Sequence, residues 1–200
     1  APAAPPDQWP WTLSKAKVLS QQEIKRVMRV SEVSNLGQRD KLALALSIYG
    51  GMRVGEIAAL KMGDVRTSNG KPVEVIHLTK HQTKGNRSRR VFVGQELQRY
   101  LDSYLRQRAH LDDSTALIRS TRTGGHFSNV SLSLRMKAIY RMAGIDTSSH
   151  SGRRTFATRK NELGIGMRTI QQLLGHAQIQ TTALYCDVSD KQLRNAANLI

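Results

Sequence analysis

The stretch Leu173-Leu174-Gly175-His176-Ala177-Gln178-Ile179-Gln180-Thr181-Thr182-Ala183-Leu184-Tyr185 governs the reading of the whole chain. Apolar residues from Met167 to Leu174 run at helical spacing and stop at a glycine, the residue that most readily ends a helix. A second short helix is predicted from Ile179 to Tyr185, so a histidine sits in the link between two helices and a tyrosine follows it by nine positions. Three earlier segments also combine a glycine or a turn with cations. They are Gly51-Met52-Arg53-Val54-Gly55-Glu56-Ile57, the loop 80–90 (KHQTKGNRSRR), and Ser149-His150-Ser151-Gly152-Arg153-Arg154-Thr155.

The composition says what kind of partner such segments meet. Thirty-one Lys and Arg against fifteen Asp and Glu leave a formal charge of +16 over 200 residues. A domain this basic points to a polyanion, nucleic acid first, over anionic lipid or plain solubility, because no strongly amphipathic basic helix favours a membrane surface. Apolar residues make up 39% of the chain, enough for a core, and the apolar runs fall far short of a membrane span. The single cysteine, Cys186, excludes an internal disulfide and a cysteine metal cluster. Of the six histidines only His77 and His81 lie close together, on one face if a strand carries both, and no third ligand follows.

Periodicity predicts a mainly α (α+β) fold, a bundle-like helical domain with a small antiparallel β-sheet inserted near its N-terminal third. Residues 1–18, with four of the five prolines in the first ten positions, read as a linker or the tail of a preceding segment; 19–200 form one domain. Helices are predicted from Ser20, over 38–49, through Glu56 to Leu60, over 95–108, 129–143, 151–163 and 167–174. Ser20 and Glu23 have the spacing of a capping box. Strands are expected near Val73–Ile76 and Arg90–Val93, with a third near Asp64–Arg66. An amphipathic stretch over 190–199 closes the chain.

Each cationic segment has a chemical reading and a plain one. Arg53, directly after a Gly-Gly break, can aim its planar fork at a phosphate, and Glu56 one turn on can orient its neighbours. Alone, that pair also reads as a solvated ion pair. Lys80, Lys84, Arg87, Arg89 and Arg90 crowd one loop without an acid, and their mutual repulsion favours DNA contact over a bare solvated hairpin. His150 and Arg153 share a side if helical, and a histidine beside a phosphate-binding arginine exchanges protons near neutral pH.

Taken together, Arg53, a hairpin lysine, His150-x-x-Arg153, His176 and Tyr185 stand in an order and spacing that resembles the catalytic domain of the tyrosine recombinases of the phage integrase family. The resemblance covers about residues 19–189. It implies Tyr185 as nucleophile, Arg53 and Arg153 as phosphate clamps, His150 and His176 around the same phosphate, and Glu56 in support. Lys84 matches the hairpin lysine, with Lys80 its rival. Lys80, Arg87, Arg89, Arg90 and Arg154 are expected on DNA. A tyrosine hydroxyl titrates near 10, so a base is needed, and His150 is the candidate; Lys84 is the expected acid for the leaving 5′-oxygen.

The implied reaction is cleavage and rejoining of DNA through a 3′-phosphotyrosine, with no metal, ATP or other cofactor. The implied partners are double-stranded DNA and a homotetramer on it, the C-terminal helix packing against a neighbouring subunit or against its own domain. A cytoplasmic, nucleoid-associated protein of a mobile genetic element fits this reading. Two departures stand out: Gly152 where many members carry Leu, and Arg154 where many carry His or another basic residue. The rival functions are relaxation of DNA by a type IB topoisomerase and a basic DNA-binding module without catalysis.

Overall fold

Ser20 starts the first helix as its sequence dictates. The Ser20 hydroxyl accepts from the Glu23 backbone N–H (3.2 Å), and the Glu23 carboxylate accepts from the Ser20 N–H (2.9 Å). Helix α1 (Gln21–Ser31) then buries Ile24, Val27 and Met28. The structure, a computed structural model, describes residues 16–33, 36–83 and 86–185, and beyond them 193–194 and 197–198. The Pro-rich opening up to residue 15 and most of the stretch 190–199 lie outside the described residues.

Helix α2 (Gly37–Ile48) is the axis of the molecule. Every residue from Leu42 to Ile48 is buried, so the helix has no solvent face, the pattern of a helix surrounded by others. Helices α1, α3 (Val54–Ala59), α5 (Gln95–Arg106), α6 (Asn129–Met142) and α7 (Ser151–Glu162) all pack on it. The class is the one the sequence predicts, mainly helical with a small antiparallel sheet.

The sheet is smaller than expected. The stretch read as a third strand folds as one helical turn, α4 (Met62–Val65). Asp64 causes it: its carboxylate accepts from the Lys61 N–H (2.8 Å), closing the turn, and from Gln82 Nε2 (2.7 Å). Only Arg66 pairs in strand fashion, as an isolated bridge to Pro72. Strands β1 (Val75–Leu78) and β2 (Arg89–Phe92) pair antiparallel, with Ile76 opposite Val91 and Leu78 opposite Arg89. Ile76, Leu78 and Val91 face the core. His77 lies in β1, whereas His81 lies past the strand in a 3-10 turn (Lys80–Gln82), so the two do not share a strand.

Helices α8 (Met167–Leu174) and α9 (Ile179–Ala183) complete the described fold. Besides the main core around α2, a second apolar cluster of Ala157, Ile170 and Leu174 joins α7 to α8, and Tyr185 packs against it. The chain that enters α1 is laced to α7: the Leu19 N–H donates to the buried Thr155 hydroxyl (2.8 Å), and Arg159 Nη2 donates to the Leu19 carbonyl (3.2 Å). One polar cluster sits inside the core. Asp40 accepts from Arg39 Nε (3.0 Å) and Nη2 (2.7 Å) on one oxygen and from Arg135 Nε (2.9 Å) on the other. Among the described residues no helix is long and apolar enough to cross a membrane.

Candidate active site

Two glycines in left-handed backbone make the site possible. Gly51 (φ 61°) turns the chain out of α2 so that its carbonyl meets α7, where Arg153 Nη1 donates to it at 2.5 Å. A side chain there would place Cβ 2.7 Å from the Phe156 ring. Gly175 (φ 64°) ends α8, and a Cβ at that position would lie 2.5 Å from Arg89 Cδ. The last carbonyls of a helix lack intrahelical donors and carry its negative dipole end. Here arginines fill that role: Arg89 Nη1 donates to the Leu173 carbonyl (2.8 Å) and Arg153 Nη2 to the Leu174 carbonyl (2.7 Å).

Arg153 is 3% exposed, and its fork is held by neutral acceptors only. Beside the two carbonyls, Nη2 donates to His176 Nε2 (2.9 Å). Among the described residues no carboxylate forms an ion pair with it. Burial, then the charges of Arg53 and Arg89, pull its pKa down to about 9.

The arginine fixes the histidine's tautomer. A guanidinium can only donate, so Nε2 of His176 accepts and the proton resides on Nδ1, which donates to the buried Thr182 hydroxyl (2.9 Å). Burial, followed by the charges of Arg153, Arg53 and Arg89, lowers the His176 pKa to about 4 and keeps the ring neutral. The Tyr185 ring lies 5.8 Å from the His176 ring, inclined by 27°. The Tyr185 N–H donates to the Thr182 carbonyl (2.9 Å), so one threonine contacts both residues.

Glu56 organises the other half. It is 1% exposed and accepts from Arg53 Nη1 (2.9 Å) and the Arg53 backbone N–H (2.8 Å). Arg89 meets it side-on, Nε at 3.0 Å and Nη2 at 2.8 Å. Burial opposes ionisation of Glu56, but the charge and hydrogen bonds of Arg89, helped by the Arg53 N–H, hold the carboxyl below its usual range. The partly exposed Arg53 opens onto a groove of about 570 Å³ that His150 also lines, with Asn129 and Ser133 of α6 on one wall and His81 and Thr83 on another. A second groove, about 480 Å³, lies beyond Arg89 and is lined by Arg90, Arg168 and His176.

The structure therefore joins Arg53, Glu56, Arg153, His176 and Tyr185 in one contact network. His150 sits higher, exposed at the N-cap of α7, while Arg153 three residues on is buried. Lys84 lies outside the described residues. Lys80, Arg87 and Arg90 are exposed, and Arg90 stacks over Phe92. Arg89, expected on DNA, turns its side chain inward, where Glu56 and the end of α8 accept from it. Arg154 is half-buried, with its Nε enclosed. Gly152 is explained by α2: a Cβ there would stand 2.5 Å from Ser47 Oγ, so the larger residue common at this place does not fit beside Ser47. Sequence reasoning missed Thr182, although the Thr-Thr pair was the available signal, and it missed the Gly51 carbonyl as an acceptor.

Known proteins resemble this chain in sequence and fold. The sequence profile of the phage integrase family matches residues 17–192. Tyrosine recombinase XerA of Pyrococcus furiosus is 36% identical over 197 residues, covering 96% of this chain and 64% of the relative. Tyrosine recombinase XerD of Staphylococcus saprophyticus is 33% identical over 190 residues, covering 88% and 60%. The chain thus spans less than two thirds of the length of these curated relatives. Among solved structures, the crystal structure of XerA recombinase superposes with a TM-score of 0.72 at 29% identity over 90% of this chain and 63% of that one. XerH site-specific recombinase, in a post-cleavage complex with palindromic difH substrate, shares the fold with a TM-score of 0.69 at 22% identity, covering 91% and 52%.

Proposed function

Because the chain belongs to the phage integrase family of tyrosine recombinases, we propose that it is a site-specific recombinase that cuts and rejoins double-stranded DNA through Tyr185. The observation that carries this reading is Arg153. Its fork bonds only neutral acceptors, and the one nearby carboxylate, Glu56, is already shared by Arg53 and Arg89, so three buried or half-buried cations face one anion, a costly arrangement that an anionic ligand relieves. A phosphodiester fits: it is anionic, and two arginine forks with a neutral imidazole beside them stabilise the extra charge of a pentacoordinate phosphorus. The relatives named as tyrosine recombinases and the XerH–difH complex support DNA as the substrate.

In this mechanism the Tyr185 oxygen attacks the phosphorus and its proton passes to His150, at the mouth of the groove. The bond to the 5′-oxygen breaks, and Lys84 protonates that oxygen. The product is a 3′-phosphotyrosine, and a 5′-hydroxyl from a partner duplex reverses the step to rejoin the strand. Arg53 and Arg153 hold the non-bridging oxygens throughout. Exchange between duplexes calls for four subunits, so the working form is a homotetramer on DNA, with residues 190–199 packing on a neighbour. Lys80, Arg87 and Arg90 supply phosphate contacts along the duplex, and the protein works in the cytoplasm, on the nucleoid.

The test is covalent trapping on supercoiled plasmids carrying genomic fragments of the source organism, with EDTA present and a detergent quench. Nicked plasmid bearing protein, lost with Tyr185→Phe, is the expected result. An adduct that survives Tyr185→Phe, or nicking that EDTA abolishes, would overturn the proposal.

A further inference from the structure

Arg89 was expected to touch DNA, yet its side chain is 7% exposed and all its contacts are internal. It lies at the start of β2 and reaches two other elements at once. Nε and Nη2 engage both oxygens of Glu56 on α3, and Nη1 engages the Leu173 carbonyl at the end of α8. Glu56 in turn holds Arg53 through its fork and its backbone N–H. One residue after Leu173, the Leu174 carbonyl holds Arg153, whose other nitrogen holds Gly51, two residues before Arg53. The contacts thus close into a ring: Arg53, Glu56, Arg89, the end of α8, Arg153, and Gly51 back to Arg53.

We infer that Arg89 is a positioning residue for strand cleavage, acting through Glu56 and the α8 terminus to set Arg53 and Arg153 at one spacing. This rests on the recombinase reading above. Two facts favour a positioning role over generic packing. Gly175 leaves room for Arg89 where any side chain would collide with it, so the backbone is shaped around this residue. Glu56 Oε1 is shared by Arg53 Nη1 and Arg89 Nε, so loss of Arg89 frees that carboxylate to rotate and take Arg53 with it. An arginine is required because only a planar fork satisfies both carboxylate oxygens and a carbonyl together.

The experiment uses the full-length protein on the trapping plasmid, with duplex affinity measured across a salt series. Arg89→Met should slow adduct formation on the order of 10²-fold, the scale of a small misplacement of catalytic groups. Its duplex Kd and salt slope should stay unchanged. Arg89→Lys, which keeps the charge and loses the fork, should recover only part of the rate. The pair Arg89→Met with Glu56→Gln should lose no more than the worse single variant, since both break one ring. Added guanidinium ion should accelerate Arg89→Gly, checked as folded by circular dichroism, and leave the parent unaffected. A weaker Kd with a salt slope smaller by about one would make Arg89 a DNA contact after all. Additive losses that track a falling Tm, without rescue by lysine or guanidinium, would reduce it to a structural brace. If the parent itself gives no Tyr185-dependent adduct, the recombinase reading fails first, and that outcome is separate from any result on Arg89.

Discussion

Two charge clusters, one between α2 and α6 and one where α7 meets the end of α8, are built in opposite ways. Around Asp40 a carboxylate is the centre, and Arg39 and Arg135 occupy its two oxygens. Around Arg153 a guanidinium is the centre, and its acceptors are two backbone carbonyls and a neutral imidazole. In the first cluster each arginine is paired with the carboxylate, and the cluster serves packing between α2 and α6. In the second, among the described residues, no carboxylate bonds the central arginine, and an anionic ligand can supply that partner. Burial alone thus does not separate structural from functional charge; the sign and chemistry of the partners do.

Substitutions test that contrast, from the largest effect down. Asp40→Ala leaves two arginines without their carboxylate and should cost about 3–5 kcal/mol of folding stability. Urea unfolding checks it, and adduct formation per folded molecule should stay at the parent level. A loss of cleavage beyond the loss of fold would mean the clusters are not independent. Arg153→Met should do the reverse. Cleavage should fall on the order of 10²–10³-fold, the scale for one lost donor to a developing charge, while the unfolding midpoint moves far less than for Asp40→Ala.

Thr182→Val removes the acceptor of the His176 Nδ1 proton and should cost about 1–3 kcal/mol, the scale of one unpaired buried donor. Nitrogen NMR of the His176 ring should then report loss of the single Nδ1–H tautomer. Acid probes the same cluster. His176 titrates near 4 in the fold, below its ordinary 6.5, so the unfolded chain binds more protons between those values. Stability therefore falls as pH is lowered through that window. His176→Gln should flatten the stability profile between pH 6.5 and 4. An effect of the same size lies on the seam between α2 and α7. Gly152→Ala should cost about 1–3 kcal/mol by overpacking against Ser47, and Ser47→Gly should restore most of it.

Much of this site was legible before any coordinates. Helix ends were marked by Gly51 and Gly175, and the ordered set Arg53, Arg153, His176 and Tyr185 converges as the motif spacing implies. What escaped the sequence were choices between two uses of one residue type. An arginine in a basic loop satisfies a phosphate or a buried carboxylate equally well, and only the position of Glu56 and the α8 terminus decides for Arg89. Asp64-Val65-Arg66 alternates like a strand, yet Asp64 closes a helical turn because Lys61 and Gln82 present donors to it. Gly152 departs from the Leu common in the family, and it gives the room that Ser47 requires.

Two of the three acceptors that hold Arg153 are peptide carbonyls, at Gly51 and Leu174. Point mutation can erase a side chain but not a peptide bond. The seat of the central arginine is therefore largely insulated from drift at the residues that build it, and its weak points are the two glycines whose backbone turns shape the approach, together with the arginine itself. A lineage could recolour nearly every surface position of this domain, altering which DNA it meets, and still inherit the same seat.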